Sequence, residues 1–284
     1  MTEEDHTTGA LQPVSAISQE LAALEPSGRR RIIEKFVLAA LGSIPWVGGF
    51  LSAAASLKTE QPGVQQDSLQ TKWLREHEGK ITLLRETLEE ISGRFETLGS
   101  TIDERIQSPE YLGLVRKAFR LWDTAETDEK RRYAANVVVN SAGTRVCSDD
   151  VVRLFMDWLA TYHEAHFAVI REIFRRPGTT RYEIWTALYG ELPREDSAEA
   201  DLFRMLIRDL SIGGVIRQVR DTDLQGRFVR KPATRRSGSA PATMESAFED
   251  TKPHCLTELG KQFVHYTMNE VVDRLGQRDG NPEV

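Results

Sequence analysis

Apolar residues recur three and four positions apart over much of the chain, the period of helices that bury one face. Val14, Ile17, Leu21 and Leu24 share one side of a short helix predicted over residues 14–24, which Pro26 and Gly28 close. The most regular pattern lies in residues 67–107, where Ile81, Leu84, Leu88, Ile91, Phe95, Leu98 and Ile102 alternate spacings of three and four. That is a heptad seam with two readings: a long helix packed inside its own domain, or a coiled coil through which the chain self-associates. Ser108 followed by Pro109 gives a cap and an N-terminal proline to the next helix, over 110–122. Further helices are predicted over 128–142 and 149–160, the latter capped by Ser148 or Asp149.

Past residue 160 the pattern changes. A helix over 162–175 stops at Arg176-Pro177-Gly178, and Thr180 starts a second one carrying Ile184, Trp185 and Leu188. A third, over 197–212, has a predicted apolar face of Leu202, Met205 or Leu206, and Leu210, closed by Gly213-Gly214. Residues 215–220 alternate apolar and polar side chains as a half-buried strand does, and His254-Cys255-Leu256 is its candidate partner. A final helix opens in LTELGKQFV and is predicted to run to about residue 274. Three helices, a strand, a long polar loop, a short strand and a closing helix resemble a winged helix-turn-helix module. That resemblance implies a compact domain over 162–275 with a wing at 221–251, whose third helix is the one offered to DNA.

The predicted fold class is therefore mostly α: a helical domain over 14–160, then a winged-helix (α+β) domain. Residues 1–13 and 276–284 are polar, without periodicity, and are predicted to be disordered.

Residues 36–57 break the alternation, being 22 residues without a charge, of which 15 are Ala, Val, Ile, Leu, Phe or Trp. The length meets the roughly 20 residues that a membrane-spanning helix needs. Gly42, Pro45, Gly48 and Gly49 divide the run into halves too short to cross, so a bent helical hairpin is predicted. Its candidate membrane or partner residues are Phe36, Leu41, Ile44, Pro45, Trp46, Val47, Gly48, Gly49, Phe50 and Leu51. The same pattern fits a hairpin buried in a helical core, with small residues allowing close approach.

Charge narrows the partners. The formal net charge is -6, which argues against a surface built throughout to hold nucleic acid. Any such contact is local. On the third helix of the C-terminal module Arg204 and Arg208 are offset by Glu199, Asp201 and Asp209, and the clustered cations are Arg227, Arg230, Lys231, Arg235 and Arg236 in the polar loop. These are the nucleic-acid candidates.

No catalytic constellation, cofactor motif or metal site is predicted. Cys147 and Cys255 stand far apart, and His163 and His166 are two imidazoles without further ligands nearby in sequence. Asp149-Asp150 reads as a helix start rather than an acid and base pair. Walker, GxSxG and GxGxxG signatures do not occur. The opening MTEEDHTTGALQP lacks the basic-then-apolar order of a secretion signal, so the cytoplasm is the expected location.

The uncharged hairpin, the heptad helix, and the segments YLGLVRKAF and DVVRLFMDWLATYHEAHFAVIREIF together resemble abortive-infection alpha-type (antiphage defence) proteins of bacteria. The resemblance implies a non-enzymatic defence-type effector or accessory protein, with no active site to carry over. Such a protein would act by protein or membrane association, peripheral to the inner membrane on activation. The alternative is a winged-helix DNA-binding transcriptional regulator that dimerises through its N-terminal helices.

Overall fold

The computed structural model describes residues 27–47, 64–220, 225 and 246–268. The expected helix at 14–24, the second half of the uncharged run, most of the polar loop and the 276–284 tail lie outside them. The protein is mostly helical, with ten α-helices and one two-stranded sheet among the described residues. The chain divides into two compact units, one made of residues 1–160 with 266–284, the other of residues 161–265.

The first unit contains α1 (Ser27–Leu41), α2 (Val64–Leu98), a 3-10 turn (Gly99–Ile102), α3 (Asp103–Gln107), α4 (Pro109–Thr124), α5 (Asp128–Gly143) and α6 (Asp149–Thr161). Its centre is aromatic. Phe36 of α1 meets Phe95 of α2 edge-on at 5.2 Å and Phe119 of α4 at 6.1 Å, all three fully buried. Local chemistry sets the helix starts: the Ser108 hydroxyl accepts from the Tyr111 amide with Pro109 in the first turn, and the Thr127 hydroxyl accepts from that of Lys130. The predicted 67–107 helix is not continuous. Gly99 takes a positive φ of 71°, a conformation that ends α2 at Leu98 and puts Ile102 in the following 3-10 turn.

The end of the chain's last described helix belongs to this first unit. Asn136 and Asn140 of α5 donate to the carbonyls of Thr267 and Tyr266 at 2.8 and 2.9 Å, and the buried Tyr266 ring lies 5.8 Å from that of Phe155. The C-terminal module expected over 162–275 thus gives up its last part at Tyr266.

The second unit contains α7 (Glu164–Arg175), α8 (Arg181–Tyr189), α9 (Ala198–Ile212), β1 (Ile216–Gln218), β2 (His254–Leu256) and the first turns of α10 (Glu258–Thr267). Strands β1 and β2 run antiparallel, pairing Ile216 with Leu256, Arg217 with Cys255 and Gln218 with His254. Thr179, just before α8, bridges to His254 on its other side, so β2 is bonded along both edges. Gly260 permits the close approach of α10 to β1, since a Cβ there would lie 2.1 Å from the Val215 carbonyl oxygen. Helix α8 starts on a capping box, with the Thr180 hydroxyl accepting from the Glu183 amide and the Glu183 carboxylate accepting from the Thr180 amide.

Helix α9 is rotated from the expected face. Phe203, Leu206, Ile207 and Leu210 are buried, whereas Leu202 and Met205 are exposed. The buried set follows the i, i+3, i+4, i+7 row from Phe203, which holds four large apolar side chains; the row through Leu202 includes Asp209.

Candidate anion-binding cleft

A cleft of about 800 Å³ opens in the second unit where the C-terminal half of α9, β1 and the start of α8 come together. Each element brings cations to it by its own geometry. Arg204, Arg208, Ser211 and Ile212 lie three, four and seven apart and so share one side of α9. β1 and its continuation supply Ile216, Arg217, Gln218 and Arg220, Arg181 comes from the first turn of α8, and the buried His254 from β2. Among the described residues, five arginines and a histidine thus line one depression, with no carboxylate in that lining. Arg208, Arg217 and Arg220 are exposed. In a chain of net charge -6 this is a local reversal of sign, and low-dielectric walls concentrate its field.

The rim is held by a carboxylate outside the lining. Glu195 accepts from the Ser246 hydroxyl, from the Ala247 amide at 3.0 Å and from the Arg204 guanidinium. Burial pushes the Glu195 pKa up, but the bonds from Ser246 and Ala247 and the charge of Arg204 outweigh it and hold the carboxyl below its usual range. Arg204 also donates to Asp201 at 2.7 Å. Two carboxylates thereby occupy Arg204. Phe248, next to Ala247, stacks on Phe203 at 6.0 Å and meets Trp185 edge-on at 5.2 Å, fixing the chain as it returns to β2.

Of the nucleic-acid candidates, Arg204 and Arg208 are in the cleft, while Arg227, Arg230, Lys231, Arg235 and Arg236 lie outside the described residues. Sequence reasoning missed Arg181, Arg217, Arg220 and His254. The available signal was the strand alternation itself, which interleaves arginines with the apolar residues of 215–220.

The other candidates fall elsewhere. Phe36, Leu41, Ile44 and Val47 are buried in the first unit, Pro45 is exposed, and the Trp46 indole donates to Asp123 at 2.6 Å. Gly48, Gly49, Phe50 and Leu51 lie outside the described residues. No described helix is long and apolar enough to cross a membrane. In the seam, Leu84, Leu88, Ile91, Phe95 and Ile102 are buried and Ile81 and Leu98 half-buried, in a unit where α2 packs on α5. This chain's own helices cover the stripe.

His166 has a structural role at the start of α7. Its Nδ1 accepts from the His163 amide at 3.2 Å, its ring stacks on Tyr162 at 5.0 Å, and Nε2 faces Asp209 at 3.7 Å. Burial lowers the His166 pKa, opposed by the Asp209 carboxylate. No group of three potential metal ligands comes together among the described residues, and Cys147 and Cys255 are free thiols.

No protein-family model matches the chain, and no match to it was found among curated proteins or among solved structures.

Proposed function

We propose that this protein is a non-enzymatic nucleic-acid-binding protein whose second unit is a winged helix and whose first, helical unit carries it. The element order supports the winged-helix reading: α7, the Thr179 bridge, α8, α9, β1, a long loop, β2 and α10. The observation that carries the function is the convergence of Arg181, Arg204, Arg208, Arg217, Arg220 and His254 on one cleft, with no carboxylate among its described lining residues. Guanidinium groups in that density match phosphate oxygens in geometry as well as charge. A duplex offers such groups phosphates at a regular repeat.

The test is fluorescence anisotropy of a labelled duplex with the full chain. Binding with a dissociation constant of about 1–100 µM at physiological salt, tightening steeply as salt is lowered, is the expected result. A folded protein that binds no duplex at low salt would refute the reading.

A second reading, a partner-binding module within a defence-type effector, is favoured by the outward face of α9. Leu202 and Met205 are exposed there, to 49% and 44%. It predicts association with another protein and no duplex binding. A membrane step draws no support from residues 36–47, where Phe36, Val37, Leu41, Ile44 and Val47 pack in the helical core.

A further inference from the structure

We infer that the outward face of α9 pairs with the same face of a second copy of this chain, antiparallel across a two-fold axis. The inference stands apart from the duplex reading. Leu202, Met205 and Asp209 follow one another at spacings of three and four, the period of a seam that meets another helix. Leu202 and Met205 are exposed, while Phe203, Leu206, Ile207 and Leu210 bury the other side of the same helix. Helix α9 thus carries two apolar rows, and its own unit covers one of them.

Charge selects the occupant of the other. Asp201 and Arg208 lie seven residues apart, about two turns, and so flank the same edge of the outward row. Both are exposed, and Arg208 makes no ion pair among the described residues. Asp201 accepts from Arg204 at 2.7 Å through Oδ1, and an ionised carboxylate accepts further bonds on its second oxygen. When two such helices run antiparallel about a two-fold axis, like edges lie side by side with their ends exchanged. Leu202 then packs on Met205 of the second copy, and Asp201 faces Arg208 of the second copy, each contact occurring twice. The same register sets Asp209 opposite the small Ala198. One surface supplies both halves of every contact, as an isologous interface requires. The area is that of one helix face per copy, below the roughly 1,200 Å² of a standard interface, so the dimer is weak, with a dissociation constant of about 10–500 µM.

The test is sedimentation equilibrium of the full chain without nucleic acid, from about 10 µM to about 1 mM, with circular dichroism to show that each variant is folded. Wild type is expected to pass from monomer to dimer over that range. Leu202→Glu with Met205→Glu, both at exposed positions, should remain monomeric throughout. Arg208→Asp sets carboxylate against carboxylate twice across the axis and should weaken the dimer at least about tenfold. Adding Asp201→Arg restores both ion pairs and should return the affinity to within about threefold of wild type. Monomeric wild type at about 1 mM, a dimer indifferent to the Leu202 and Met205 changes, or a charge swap no tighter than Arg208→Asp alone would overturn the inference. None of these outcomes involves a duplex, so the nucleic-acid reading stands or falls by its own titration.

Discussion

Replacing Phe36 with alanine separates the two readings of the uncharged run, because a core residue and a membrane-inserting residue respond differently to the same change. Phe36 is fully buried between the rings of Phe95 and Phe119. Removing a buried phenyl group costs about 3–5 kcal/mol, from lost transfer energy and from the cavity left among neighbours that cannot collapse. Domains of ordinary size have only about 5–15 kcal/mol of stability, so the loss is a large fraction of the total. Leu38, two residues on in the same helix, is 56% exposed. Leu38→Ala therefore changes stability by less than about 0.5 kcal/mol. Urea unfolding followed by far-ultraviolet circular dichroism measures both, with the lower midpoint in Phe36→Ala and an unchanged one in Leu38→Ala. Equal midpoints for wild type and Phe36→Ala would refute the packing argument, and with it the assignment of residues 36–47 to the helical core.

Further outcomes follow from the same geometry. Leu88→Glu with Phe95→Glu puts two unpaired carboxylates into a core where both side chains are buried, so the helical unit should unfold. A variant that keeps full helicity and only changes its sedimentation would show that the seam joins copies instead. His166 is held neutral by burial, against Asp209, with Nδ1 accepting from the His163 amide. Its folded pKa is below the unfolded value of about 6.5, so the unfolded state takes up the proton first and stability falls as pH drops from about 6.5 through the folded pKa. His166→Gln should flatten that part of the urea midpoint against pH; an unchanged slope would remove His166 from the acid response. Thr180→Ala removes a hydroxyl that caps α8 and should lower stability by about 1 kcal/mol, measurable in the same unfolding experiment.

What the sequence made legible were features written in neighbouring residues. The Ser108-Pro109, Thr180 and Ser197 starts each appear as helix caps, because a hydroxyl two or three residues from orphan amides acts within one turn. The His254–Leu256 strand was likewise readable from its bounds. The break at Gly99 was not, since the heptad spacing continues across it and only the positive φ reveals the stop. On α9 two apolar rows compete, Leu202-Met205 and Phe203-Leu206-Ile207-Leu210, and tertiary packing decides between them. The cleft was hidden for a different reason. Arg181, Arg204, Arg208, Arg217 and Arg220 are interspersed with acidic residues in sequence, so no window of the chain is conspicuously basic there. Folding gathers the arginines at the cleft, where Asp201 and Glu195 bond to Arg204.

The claim that matters most is that this one cleft, rather than charge in general, binds nucleic acid. Reversing Arg217 and Arg220 to glutamate changes two exposed cleft residues, while reversing the exposed Arg116 and Arg120 of α4 makes the same net change in the other unit. Anisotropy titrations of one labelled duplex against wild type and both variants, over a range of salt, compare them directly. The account predicts that the cleft variant loses at least about tenfold in affinity at low salt and that its slope against log salt shrinks by about 1.8, while the α4 variant stays within about twofold of wild type. Equal losses in the two variants, or wild-type affinity in the cleft variant, would contradict it.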